Sequence, residues 1–264
     1  MTTRIVVLAG RGRYEDPWHD HAATSHVVAE LLGELGDVAV RSTWRDALGD
    51  LDDAGLLVVN SGSGRVDPAF DGDDAAWAGF HERLAGWARG GGAILALHQA
   101  ANTFADAPGF EEILGGRWIP GVSMHPPIGD AVFDVVPGHP VTDGLGTGGT
   151  AAGGTVAGRT AAGGPGADAA ASSIAAFDER YCHLVVAETS RVLLTTRGPG
   201  PGSGAPDGTH VHPVAWANEA HGGRTVYSGL GHDPRSFGSG SHRAFLRAAA
   251  GWLLGQEQEP GRLR

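Results

Sequence analysis

The sequence predicts an α/β protein with a doubly wound, mainly parallel sheet. Short, continuously apolar segments alternate with segments of 3.6-residue periodicity, and one apolar segment is led in by three glycines and followed by a histidine. Elements that alternate in this way favour a parallel sheet covered by helices on both faces. Ile5 to Ala9 reads as the first strand. Ala22 to Leu35 follows as a helix, with Val27, Val28, Leu31, Leu32 and Leu35 on one face. Val38 to Arg41 and Leu56 to Asn60 read as further strands, the second apolar throughout, as a doubly covered strand should be. Asp74 to Arg89 sets Trp77, Phe80, Leu84 and Trp87 on one helical stripe and delivers the chain to GGGAILALHQAANTF at 90 to 104, whose Ala93 to Leu97 is a buried strand. Weaker strands are expected at Ala131 to Val136, Leu184 to Ala187, Val192 to Thr196 and Thr225 to Gly229. Ser241 to Leu254 closes the fold as a helix, with Ser241 as its N-cap.

Two segments interrupt this order. Residues 144 to 173 are almost wholly Gly, Ala and Thr, which offers little apolar surface against the entropy of ordering the chain, and predict a loop insertion. Residues 198 to 208, rich in Gly and Pro, predict a second surface loop. Sequence on both sides of each is needed to complete one sheet, so residues 1 to 264 read as a single domain.

Composition narrows the partners. A formal charge of −11 with 19 scattered basic residues argues against nucleic acid and against an anionic membrane surface. The apolar run at Ile5 to Ala9 is too short for a signal-peptide core or a membrane span, and a cytoplasmic protein is expected. One cysteine, Cys182, excludes an internal disulfide and a cysteine-based structural zinc site. The apolar content suits a monomer or a homodimer.

The chemistry gathers in the 13 histidines, several beside carboxylates. His98 follows the glycine-led strand, where an open α/β sheet binds ligands beyond the carboxyl ends of its strands. His19 and His21 follow the first strand in EDPWHDH; His125 sits in MHPP, His139 in GHP, His183 in FDERYCH and His232 in SGLGHDP. A histidine serves as general acid or base near neutral pH, or as a metal ligand. His98, Glu179 and His232 are the candidate catalytic residues. His19, His21, His125 and His183 are the candidate ligands of a divalent metal, zinc or similar, provided that they converge in space. Asp178, Tyr181 and Asp233, with the ring of Trp118, are candidates for binding substrate hydroxyls and C–H faces. Trp216 and Phe237 offer further rings, whereas Trp77, Trp87 and Trp252 are expected in the core. Each of these residues also has an ordinary structural reading, Asp233 above all, which in GHDP can simply cap a turn. No nucleotide cofactor is indicated.

In order and spacing, GGGAILALHQAANTF, ILGGRWIPGVSMHPP (113 to 127), VPGHPVTDGL (136 to 145), FDERYCHL (177 to 184) and HPVAWANEAHGGRTVYSGLGHDPRSF (212 to 237) resemble the ThuA-like, or trehalose utilisation, family. The resemblance implies a flavodoxin-like fold of the class I glutamine amidotransferase type. It also implies a role in the utilisation of trehalose or a related sugar or keto-sugar. In true amidotransferases the turn after the equivalent strand carries a nucleophilic cysteine. Here it reads Leu97-His98-Gln99-Ala100, so glutamine hydrolysis through a thiolate is not expected. What is left is acid–base or metal-assisted chemistry of isomerase or lyase type next to a carbonyl. The alternative is a non-catalytic sugar-binding or regulatory protein on the same scaffold.

Overall fold

The computed structural model describes residues 2–145, 173–202 and 204–256. Its elements in chain order are β1 (Arg4–Ala9), α1 (His21–Leu32), β2 (Asp37–Ser42), β3 (Ala54–Asn60), α2 (Pro68–Asp71), α3 (Asp74–Arg89), β4 (Ala93–Leu97), α4 (Phe110–Leu114), β5 (Gly116–Arg117), β6 (Gly129–Val135), α5 (Pro140–Asp143), β7 (Ser173–Asp178), β8 (Val185–Val186), β9 (Arg191–Gly198), β10 (His210–Asn218), β11 (Arg224–Ser228) and α6 (Gly240–Leu253). Nine strands form one sheet in the order β2-β1-β3-β4-β11-β10-β9-β6-β7. Neighbours from β2 to β11 are parallel, and each pairing from β11 outward to β7 is antiparallel. The sheet is therefore a doubly wound parallel half carrying an antiparallel extension. Two reversals bring β9 and β7 back to the direction of β4 and β11, so the carboxyl ends of β1, β3, β4, β11 and β7 all lie at one edge. Helices cover both faces: α1 packs against α6, which reaches β4, β11 and β7, while α3 packs with α4.

The parallel strands form where the sequence is continuously apolar. All five residues of β4 and six of the seven of β3 are buried. The glycines before β4 have separate reasons. Gly91 has φ +106, a left-handed conformation that other residues rarely adopt, and a Cβ on Gly92 would lie 2.4 Å from the Trp87 ring packed over it. Trp87, expected in the core, is only half-buried against it, and Ala88 completes the stripe of Trp77, Phe80 and Leu84. Helix α1 stops at Leu32, three residues before the predicted end. Its inner face carries Thr24 and Ser25, whose side chains both take hydrogen bonds from Asn60 Nδ2 at the end of β3 (2.9 and 2.8 Å). The N-cap of α6 is Ser239, which accepts from His242 N–H, rather than the expected Ser241.

Strands β7 and β10 are not legible in the sequence. Apart from its two ends, the predicted insertion at 144 to 173 lies outside the described residues, and β7 emerges directly from it. In β10, polar His210 and His212 flank the start and Pro213 interrupts. Pro213 sits at a register irregularity against β9, before pairing with β11 begins at Ala215, so its missing N–H costs no ladder bond there. The expected strand at Leu184 to Ala187 shrinks to β8, paired with β5 in a separate ribbon. Among the described residues no helix is long and apolar enough to cross a membrane.

Candidate functional site

The site lies at the strand edge where the carboxyl ends meet. His98, first residue after β4, has φ 44°, a left-handed conformation costing roughly 1–2 kcal/mol for a residue with a Cβ. The turn is sharp because the chain leaves a buried strand and enters a short 3-10 turn at once. It is held by Tyr227, whose hydroxyl donates to the His98 carbonyl (2.9 Å). The turn presents an imidazole that is 2% accessible.

The ring of His98 is fixed at both nitrogens. Nδ1 donates to the Gly229 carbonyl after β11 (2.8 Å), which leaves Nε2 turned into the cleft, 2.9 Å from the Tyr181 hydroxyl and 3.1 Å from His19 Nε2. His19 comes from the loop after β1 and is oriented in the same manner. Its Nδ1 lies 2.7 Å from Asp16 Oδ1, which also accepts from the backbone N–H of Trp18 and His19. Anchoring the remote nitrogen on a carbonyl or carboxylate is how proteins present the other nitrogen to a metal. Glu179, just past β7, sets Oε2 3.5 Å from His98 Nε2 and Oε1 3.7 Å from His232 Nε2. Ligand atoms of His19, His98, Glu179 and His232 all fall within 4.8 Å of one another.

This arrangement fits a metal. Bonds of about 2.0–2.1 Å around a tetrahedral zinc put ligand atoms about 3.3 Å apart, close to the separations of 3.1, 3.5 and 3.7 Å found here. Glu179 Oε2 and His232 Nδ1 are buried without a hydrogen-bond partner, so donor capacity is left over. The electrostatics agree. Burial alone would raise the Glu179 carboxyl, but His98, His232 and His125 outweigh it and hold the group ionised, below its ordinary pKa. Burial would lower His98, yet Glu179, Asp178 and the Gly229 carbonyl outweigh it and raise it. His232 is lowered by burial, with His98 and His19 adding to the effect. The pocket thus favours cationic charge between its imidazoles and its carboxylate.

The predicted ligands separate. Only His19 belongs to the cluster, and its partners are the three residues expected to be catalytic. His125 stands at the rim, 38% exposed in its side chain, with Nδ1 3.3 Å from Glu179 Oε1. His21 turns toward Asp16, its Nε2 4.0 Å from Oδ2, and burial pushes its pKa down to about 4. His183 is elsewhere: it stacks edge-on against His212 at 4.4 Å, because its own φ of 58° turns the chain toward β10.

Of the predicted substrate contacts, Tyr181 stacks on His98 at 4.4 Å and Trp118 packs on Tyr181 at 4.8 Å, forming one wall. Burial raises the Tyr181 phenol well above its ordinary range, so it stays protonated. Asp178 does not face a ligand. It is 1% accessible, and its oxygens accept from the backbone N–H groups of Glu179 (2.8 Å), Gly231 (2.8 Å) and His232 (3.3 Å) and from the Ser236 hydroxyl. It therefore positions two members of the cluster at once. Asp233 is also spent on the protein, accepting from the Arg235 backbone and guanidinium. Trp216 and Phe237 are core residues. Sequence reasoning misses Asp16; the spacing Asp16-x-x-His19, the i, i+3 reach of a carboxylate to a ring nitrogen, is the available signal. Cys182 is fully buried beside Gly198, with its thiol pushed up to about 11 by burial, so it supplies no thiolate to this edge.

No protein-family model matches the chain, and no curated protein matches it by sequence. Solved structures do. A protein from Parabacteroides merdae described as ThuA-like superposes with a TM-score of 0.68 at 16% identity, over 99% of this chain and 93% of that one. A second, from Bacteroides uniformis, gives 0.66 at 16% identity over 97% and 93%. A GMP synthase component from Thermoplasma acidophilum gives 0.51 at 12% identity over 97% and 95%. At these identities the likeness speaks for architecture, and it agrees with the resemblance carried by the sequence motifs: the chain has the class I glutamine amidotransferase-like fold, in the form shared by structures described as ThuA-like.

Proposed function

We propose that the chain is a ThuA-like protein that moves a proton next to the carbonyl of a sugar or keto-sugar, in isomerase- or lyase-type chemistry, with a divalent cation held by His19, His98, Glu179 and His232. The observation that carries this reading is the convergence of four ligand atoms from four separate loops within 4.8 Å, at the edge where this fold binds ligands. A cation bound there would polarise a carbonyl and stabilise negative charge on its oxygen. His19 and His98 keep Nε2 facing the cleft because Asp16 and Gly229 occupy their Nδ1 atoms. Glu179, ionised at neutral pH, would give Oε2 to the cation and keep Oε1 as the base, and His125 at 3.3 Å carries the proton between Oε1 and solvent. The un-ionised Tyr181 hydroxyl donates to a substrate oxygen, and the Trp118 ring offers a flat apolar surface to a sugar C–H face.

The test combines metal content, measured before and after chelation, with proton exchange of sugars and keto-sugars in D₂O followed by NMR. About one tightly held ion per chain, lost in His98→Ala, and deuterium incorporation beside a carbonyl that depends on Glu179 are expected. Metal-free protein that binds sugars equally well with and without the His98 ring would overturn the reading in favour of a non-catalytic binding protein.

A further inference from the structure

Beside His19, three polar atoms are buried without a hydrogen-bond partner: Asp16 Oδ2, His21 Nε2 and Gln99 Oε1. They face one place. A Cβ built on Gly62, just beyond β3, would lie 2.9 Å from Asp16 Oδ2 and 3.2 Å from both Gln99 Oε1 and His21 Nε2. Glycine at 62 keeps the three atoms grouped, whereas any larger residue would push a methylene among them. Asp16 and His21 are 7% and 4% accessible, and their facing atoms are 4.0 Å apart. That is too long for a hydrogen bond, and wide enough to admit an ion bonded at about 2.0–2.2 Å between the two atoms, at an angle wider than tetrahedral.

The two oxygens of Asp16 are unequally used. Oδ1 accepts from His19 Nδ1 and from two backbone N–H groups, while Oδ2 has no donor. An ionised carboxylate oxygen buried without any compensation is costly. A carboxylate, an amide oxygen and an imidazole nitrogen form a donor set suited to a divalent first-row cation. We propose that Asp16, His21 and Gln99 hold a second divalent cation adjacent to the His19, His98, Glu179 and His232 cluster, with Asp16 joining the two positions through Oδ1 on His19 and Oδ2 on the second ion.

This rests on the cation reading of the first cluster, and zinc counting separates the two. Protein stripped with a chelator is equilibrated with zinc buffered at a fixed free concentration, and bound zinc per chain is measured by mass spectrometry of the metal. Wild type is expected to hold two ions, and Gly62→Ala, which removes no ligand, to hold one. His21→Phe should also hold one, as should His232→Ala, which disrupts the first cluster alone. Circular dichroism checks that each variant is folded. One ion in wild type, retained in Gly62→Ala and lost in His232→Ala, would overturn the second site and leave the first. Two ions persisting in both Gly62→Ala and His21→Phe would also overturn it. No ion in wild type would overturn both.

Discussion

Replacing Asp178 with asparagine tests whether one buried carboxylate sets the geometry of the cleft. Its Oδ1 accepts from Glu179 and His232 N–H and its Oδ2 from Gly231 N–H and the Ser236 hydroxyl. An amide offers only one acceptor oxygen. If the amide nitrogen takes the Oδ2 side, Ser236 can turn its hydroxyl to accept, but Gly231 N–H then faces another donor. If it takes the Oδ1 side, two backbone N–H groups lose their acceptor. The first orientation is cheaper and leaves one buried donor unsatisfied, which costs about 1–3 kcal/mol. The strain falls on Gly231, next to His232, so the loop that presents this imidazole must shift. Loss of a group that orients ligands typically lowers metal affinity about 10–100-fold. Urea unfolding gives the first quantity, and zinc competition against a chromophoric chelator gives the second. Ser236→Ala, which removes one hydroxyl and no backbone contact, should weaken zinc binding much less. An Asp178→Asn variant with wild-type urea midpoint and wild-type zinc affinity would refute the positioning role.

Other outcomes follow from the same physics. Arg13 is buried against Asp71 and Asp106, reaches the exposed Asp74 and donates to the Gly72 carbonyl, so Arg13→Met should cost about 3–5 kcal/mol in urea unfolding, chiefly by leaving the buried Asp71 carboxylate without its cation. His242 is fully buried, its Nε2 has no partner, and burial outweighs Asp178 and the Ser236 carbonyl to lower its pKa. Its depressed pKa makes stability full above the unfolded imidazole range near 6.5 and erodes it as pH falls below that range. His242→Phe should therefore flatten the fall in urea midpoint between neutral and acid pH by at most one proton's worth, about 1.4 kcal/mol per pH unit. Gly64→Ala would set a Cβ 1.7 Å from the Glu15 carbonyl oxygen, and should displace the 15–19 loop and reduce zinc content along with melting temperature.

How much of this is legible in the sequence follows from where the information sits in the chain. Strands β1, β3 and β4 announce themselves because both faces are covered, so every residue is apolar and the signal is local. Strands β7 and β10 are paired only antiparallel, in the outer half of the sheet. Their residues answer to partners far away: Asp130 opposite Phe177, and Ala215 opposite both Leu194 and Ser228. His98 is visible because a glycine-led strand that ends on a histidine already specifies an elbow. Its partners are visible only as a crowd of histidines. What sorts them is tertiary. His19 and His183 each follow an acidic stretch, in EDPWH and in DERYCH, yet one has its Nδ1 tied to Asp16 and enters the cleft, while the other has positive φ and stacks on His212.

The carboxylates show the limit most clearly, since Asp178 and Glu179 are adjacent and chemically alike. Asp178, the last residue of β7, falls on the strand's buried face with Ile174 and Ala176, and Glu179 follows just past the strand's end. The first therefore meets backbone N–H groups of the β11 loop and the second meets imidazoles. Composition gives both the same prior for touching a ligand. Their different tasks come from the alternation of side chains along a strand, combined with the loop after β11, whose Gly231 and Ser236 reach the carboxyl end of β7. The two assignments stand or fall together. A register of β7 shifted by one residue would exchange them, sending Asp178 to the imidazoles and burying Glu179 against Gly231, so the larger loss of fold stability in Asp178→Asn and the larger loss of metal binding in Glu179→Gln are expected in the register found here, and the reverse ranking in the shifted one.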